Sequence, residues 1–137
     1  MKNKKSHTTR KKLLCGKTLN NQRYYFLNQI LEKNPDYIEA LEIMGDLCTK
    51  SGDFETGFAI DMRLAFLQPL EAIHYYNLAC DCALLGKKDE ALMYLNIAII
   101  LGYRDFKHLN EDPDLASIRE DERYEKLING ISCRRIK

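Results

Sequence analysis

Apolar and small residues recur at helical spacing through the central part of the chain, in two sets separated by a turn at Gly86. The first set comprises Tyr75, Leu78, Ala79 and Cys82, and the second comprises Ala91, Leu95, Ala98 and Leu101. Because a spacing of three and four residues places side chains on one face of a helix, each set predicts an amphipathic helix. The alanines predict that the two helices pack closely as a hairpin.

The same arrangement occurs one unit earlier, at an offset of 34 residues. The matched pairs are Met44 with Leu78, Gly45 with Ala79, Gly52 with Gly86, Gly57 with Ala91, and Leu67 with Leu101. Small residues at these positions predict a close approach of helix backbones, since a larger side chain would force the hairpin apart at a cost of about 1–3 kcal/mol. The turn glycines supply the left-handed backbone conformation without a steric penalty.

The two ends of the chain carry weaker helical patterns. A helix is predicted from about Asn20 to Lys33, and it stops at Asn34 because the residue before Pro35 disfavours the helical region. A further helix beginning near Phe106 must end before the next proline. There Asp112 is predicted to cap a short helix whose first turn contains Pro113. The apolar residues that follow are Leu115, Ile118, Tyr124, Leu127, Ile128 and Ile131.

The 34-residue unit resembles a tetratricopeptide repeat. The residues that carry the resemblance are Leu78 and Ala79 in the first helix, the glycine of the turn, and Ala91 in the second helix. The resemblance implies an all-α fold, a right-handed αα-hairpin solenoid with C-terminal capping helices that cover its last apolar face. Asp61 departs from the repeat pattern, where an aromatic residue or leucine is usual, and we expect this position to be exposed or loosely packed. The implied organisation is a basic arm at 1–17 and a domain at 18–137, divided into a half repeat 18–37, repeats 38–71 and 72–105, and a capping segment 106–131.

The charged residues are distributed unevenly along the chain. The chain has 137 residues, of which 45% are hydrophobic and 30% charged, and this suits one globular domain without a membrane span. The first 23 residues carry eight basic residues and no acid, whereas residues 24–132 carry 20 acids and 10 bases. The arm between Lys2 and Lys17 could tether the protein to nucleic acid or to an anionic membrane. A solvated tail and a mitochondrial transit peptide are the alternatives.

The cysteines predict thiols rather than a disulfide framework. Their number, five, is odd, and no Cys-x-x-Cys motif is present. We therefore expect buried or half-buried thiols in a reducing compartment, and a cytoplasmic location.

The sequence gives no sign of catalysis. His7, His74 and His108 lack a suitably spaced partner, and neither a zinc-type Cys/His spacing nor a phosphate-binding glycine loop occurs. The acids at Glu111, Asp112 and Asp114 are better explained as helix caps than as a calcium loop. We expect no enzyme activity, no metal and no cofactor.

The resemblance implies a binding surface, because the first helix of each repeat lines a concave groove. The groove positions that follow from it are Glu39, Glu42, Ile43, Asp46, Ile73, Tyr76, Asn77, Cys80 and Leu84. A plain solvated helix face is the alternative, but apolar residues outside the core stripe favour binding. We expect an adaptor, scaffold or chaperone that captures a basic, amphipathic peptide or helix, with Tyr76 supplying much of the affinity. Self-assembly, including a homo-oligomer formed through the helix at Asn20 to Lys33, is a further alternative.

Overall fold

The computed structural model describes residues 18–135, with side chains from residue 21 to residue 130. This part of the chain is all-α and contains no strand, which confirms the predicted fold class. Successive helices pack on one another, α1 on α2, α2 on α3, α3 on α4 and α4 on α5. The helices are α1 (Thr18–Lys33), α2 (Ile38–Ser51), α3 (Phe54–Leu67), α4 (Ala72–Leu84), α5 (Lys88–Ile100), α6 (Phe106–Glu111), α7 (Ala116–Arg119) and α8 (Glu122–Arg135), with a 3-10 turn at Pro113–Leu115 between α6 and α7.

The helix ends lie where the sequence predicts them. Gly52 ends α2 at φ 80° and Gly86 follows α4 at φ 76°, both in the left-handed region that glycine adopts readily. Asp53 caps α3 by accepting a hydrogen bond from the backbone N–H of Thr56. Each helix pair is therefore closed by a short turn, which fixes its two helices side by side.

Two clusters of buried apolar residues hold the helices together. The smaller one joins α1 to α2 and consists of Leu27, Ala40, Met44, Leu47 and Cys48. The larger one joins α4 and α5 to the segment 106–128, and it includes Ala79, Cys82, Ala91, Leu95, Ala98, Leu109, Leu115, Ile118 and Tyr124. Helix α3 lies between these clusters, packed on both α2 and α4.

The C-terminal segment covers α4 and α5. Asp112 ends α6 and accepts a hydrogen bond from the backbone N–H of Asp114 at 3.0 Å, so its predicted capping role is confirmed. Leu115, Ile118 and Tyr124 are buried in the larger apolar cluster. We call residues 106–130 the cap.

Two further results bear on the expectations from sequence. None of the helices between residues 18 and 135 is both long enough and apolar enough to cross a membrane. Cys48, Cys80 and Cys82 are free and buried, as predicted for thiols of the core. The basic arm 1–17, which contains Cys15, lies outside the described residues, and the side chain of Cys133 lies outside the described side chains.

Candidate functional site

A cleft of about 260 Å³ opens between α2, α4 and the cap. Helix α2 contributes the side facing α4, and the residues around the end of α6 close the opposite side. Of the described residues that line it, four are aspartates and none is lysine or arginine. The lining residues are Gly45, Asp46, Thr49, Tyr76, Asn77, Cys80, Asp81, His108, Asp112 and Asp114.

The carboxylate of Asp112 joins α4 to the cap at one end of the cleft. The Tyr76 hydroxyl donates to Asp112 Oδ2 at 2.5 Å, and the Cys80 thiol lies 3.8 Å from the same oxygen. The imidazole Nε2 of His108 is 3.2 Å from it. Asp112 Oδ1 accepts the backbone N–H of Asp114, so both oxygens of this buried carboxylate are held in place.

Tyr76 is fixed by its ring as well as by its hydroxyl. Its ring stacks on Tyr103, with the ring centroids 4.3 Å apart and the planes 5° from parallel. Burial, the neighbouring Cys80 and the hydrogen bond to Asp112 all raise the pKa of Tyr76, so the phenol stays protonated and acts as a donor. Burial and the charges of Asp112 and Asp114 likewise raise the pKa of Cys80, which keeps its thiol protonated.

A second pair of acids is buried at the contact between α3 and α4. Asp61 and Asp81 are both buried, and their carboxyl groups are hydrogen-bonded to each other. Burial raises the pKa of both carboxyl groups. The hydrogen bond between them raises the pKa of Asp81 further and lowers the pKa of Asp61, which opposes the effect of burial there. Asp81 therefore holds a proton and donates it to the Asp61 carboxylate, because two adjacent buried carboxylates cannot both be charged without a large penalty.

Two glycines make room for these acids. A Cβ atom added at Gly45 would lie 3.2 Å from Asp61 Oδ1, and one added at Gly57 would lie 3.4 Å from Asp81 Oδ1. The close packing that the sequence predicts at both glycines is therefore present. The nearest atoms, however, are carboxyl oxygens rather than the backbone of the facing helix.

The structure brings together only part of the predicted groove. Asp46, Tyr76, Asn77 and Cys80 line the cleft. The remaining predicted residues lie outside its lining, with Glu39, Glu42, Ile43 and Ile73 exposed and Leu84 half-buried.

Three expectations from sequence are wrong. Tyr76 is only 3% exposed, because the cap packs over its side of α4, so it is not a free apolar anchor. Asp61 is neither exposed nor loosely packed, since Asp81 pairs with it in the core. His108 does have a partner, Asp112, which stands four residues later, directly after the last residue of α6.

Sequence reasoning misses the role of three acids of the cleft. Asp81 lies on a side of α4 for which the pattern predicts no packing, and Asp112 and Asp114 are identifiable from sequence only as caps. Asp112 meets Tyr76 across 36 positions of the chain, a separation that no local spacing rule covers. The one usable signal is Asp61, an acid at a packing position, which implies a second polar group facing it.

No protein-family model matches the chain. Over 53 residues, which make up 39% of this chain, it is 36% identical to a chloroplastic protein of Arabidopsis thaliana. The match spans 16% of that protein's length.

Proposed function

We propose that the protein is a non-enzymatic protein-binding module of the tetratricopeptide type, a right-handed αα-hairpin solenoid that acts as an adaptor, scaffold or chaperone in the cytoplasm. The 34-residue offset between its two helix pairs and their successive packing support this class. Its ligand is a peptide or helix that carries lysine or arginine beside apolar residues.

The cleft is the observation that carries this proposal. Its described lining contains no lysine or arginine, and besides the protonated Asp81 it holds Asp112, Asp114 and Asp46, the last paired with Lys50 at 2.7 Å, so its net charge favours a cationic side chain. Glu39 and Glu42 extend the acidic surface along α2. Charge of this kind mainly guides approach and selects partners.

The apolar part of the surface is supplied by isoleucines instead of Tyr76. Ile43 on α2 is 50% exposed and Ile73 on α4 is 47% exposed. Both belong to the helices that border the cleft. A segment with a basic residue in the cleft and a bulky apolar residue against these side chains would bind with a dissociation constant of about 1 μM, or about −8 kcal/mol.

Reversing the charge of the surface should weaken capture of the partner. We expect Glu42→Lys combined with Asp46→Lys to bind at least tenfold more weakly to amphipathic peptides that carry lysine, because like charges then face each other. Ile43→Ser combined with Ile73→Ser should also weaken binding, with less dependence on salt concentration. Peptide arrays made in lysine and glutamate versions measure both effects, and affinity capture from native lysate identifies the partner.

The matched control reverses two acids of the cap. Glu120→Lys combined with Glu125→Lys changes the net charge equally at exposed positions away from the cleft lining. It should leave binding and the thermal melt unchanged. Equal binding by the parent and both surface variants would exclude the cleft and its border as the peptide site.

Self-assembly is a second candidate, favoured by the uncovered side of α1. Tyr25 is 67% exposed and Phe26 is 63% exposed, although the opposite side of the same helix buries Leu27 against α2. Adjacent exposed aromatics are typical of a surface that another molecule covers. We expect Tyr25→Ser combined with Phe26→Ser to shift sedimentation towards the monomer if copies associate through α1. A monomeric parent at high concentration would rule this out.

A further inference from the structure

The residues around Asp112 include four metal-binding side chains. The Cys80 thiol and one carboxyl oxygen each of Asp112 and Asp114 all lie within 4.8 Å of one another. His108 presents its Nε2 atom 3.2 Å from Asp112 Oδ2. These four side chains come from α4, α6 and the 3-10 turn region, so the packing of the cap on α4 assembles the cluster.

Two of the distances between these atoms are close to those between the ligands of a tetrahedral ion. Bonds of about 2.0–2.3 Å from zinc to nitrogen, oxygen and sulfur separate neighbouring ligand atoms by about 3.3–3.6 Å. Cys80 Sγ lies 3.8 Å from Asp112 Oδ2, and His108 Nε2 lies 3.2 Å from the same oxygen. These two distances are within a few tenths of an ångström of ligand spacing, whereas the exposed His108 side chain, which is not part of the cluster within 4.8 Å, has to move further to join Cys80 and Asp114.

A second observation in the same cleft is a buried carboxyl oxygen without a hydrogen-bond partner among the described residues. Asp81 lines the same cleft and is only 1% exposed, yet its Oδ2 atom accepts no hydrogen bond from any described donor. Its one polar partner is another acid, Asp61.

We propose that Cys80, His108, Asp112 and Asp114 bind a zinc ion at the junction of α4 and the cap. Zinc is the metal that this ligand set selects, because calcium and magnesium take oxygen ligands, whereas zinc accepts thiolate, imidazole and carboxylate together. Tyr76, which donates to Asp112, then orients a metal ligand from outside the coordination shell. Its four residues also line the cleft, so a zinc ion and a basic side chain of the proposed peptide would compete for the same carboxylates.

The test uses the full chain with Cys15→Ser and Cys133→Ser, so that the thiols of these two residues cannot contribute. Competition with a chromophoric indicator measures Zn²⁺ affinity. We expect one ion per chain, and a loss of about 10- to 100-fold on Cys80→Ser, on His108→Ala and on Asp114→Asn. With Co²⁺ the parent should show thiolate-to-cobalt absorption, which disappears in Cys80→Ser. Zn²⁺ should also raise the melting temperature of the parent.

Cys82→Ser is the matched control, since Cys82 is a buried cysteine of the same helix outside the cluster. It should keep the parent's Zn²⁺ affinity. His108 is exposed, so His108→Ala keeps the fold and tests the site even if Cys80→Ser is destabilised. A parent that binds no Zn²⁺, or parent affinity in both the Cys80 and His108 variants, would overturn the proposal. Cobalt binding without the thiolate absorption would overturn it as well.

Discussion

A chain cut after Asp112 should lose its cooperative thermal transition and associate in solution. The cut removes Leu115, Ile118 and Tyr124, all of which are buried in the larger apolar cluster. Removing one large buried side chain costs about 2–5 kcal/mol, so the loss of three, about 6–15 kcal/mol, is comparable to a typical total stability of about 5–15 kcal/mol. Circular dichroism melts and analytical ultracentrifugation measure the two effects.

A chain lacking residues 1–17 is the control for this truncation. The sequence predicts no core residue in that arm, so its removal should leave the melt unchanged. A soluble fragment ending at Asp112 that melts at the temperature of the parent would contradict the structural role of the cap.

The buried acid pair should make the protein less stable as the pH rises from about 5 to 9. Burial raises the pKa of Asp61 to about 6 and that of Asp81 to about 9, both above the value of about 3.9 for an unfolded aspartate. At a pH between the unfolded pKa and the folded pKa of each group, the folded chain binds more protons than the unfolded chain. The free energy of unfolding therefore decreases as the pH rises. The contribution of the pair is complete at low pH and is lost as these groups deprotonate.

Asp81→Asn should remove most of this dependence and stabilise the protein at pH 8. An asparagine of the same shape donates an N–H to Asp61 without requiring a proton from solution, and we expect a gain of about 1–4 kcal/mol. Urea unfolding at several pH values measures it. Asp46→Asn is the control, because Asp46 is exposed and pairs with Lys50 at the surface. Parallel stability profiles of the parent and Asp81→Asn between pH 5 and 9 would refute the shared proton.

The sequence predicts the helices and their turns because those features depend on neighbouring residues. Gly52 and Gly86 mark turns by their backbone freedom, and Pro35 and Pro113 mark breaks by their missing N–H. Asp112 can be identified as a cap from its place before Pro113. Each of these conclusions requires only a few consecutive residues.

The surroundings of α4 cannot be predicted in the same way. This helix packs on α3, on α5 and on the cap, so most of its circumference is buried. A helix that is buried on several sides has no clear polar stripe, and its periodicity no longer separates core from surface. The pattern therefore assigns Tyr76 and Cys80 to the surface and gives Asp81 no role, although all three are buried.

The position of Asp61 illustrates a different difficulty. An acidic residue at an apolar position of the pattern is either exposed to solvent or buried against a polar partner. The sequence alone does not distinguish these two cases. The partner, Asp81, stands 20 positions later on another helix. Only the packing of α3 on α4 brings the two together.

The attachment of the cap through Asp112 implies a reciprocal coupling between ligand binding and local unfolding. The same carboxylate holds Tyr76 on α4 and faces the cleft, so a ligand that gains affinity from Asp112 does so only while the cap is closed. Thermodynamic linkage then requires that bound ligand raise the free energy of cap opening. The increase equals the binding free energy that is lost when the cap opens. Amide hydrogen exchange in α7 and α8 would therefore slow on binding, although none of the described side chains of these two helices lines the cleft.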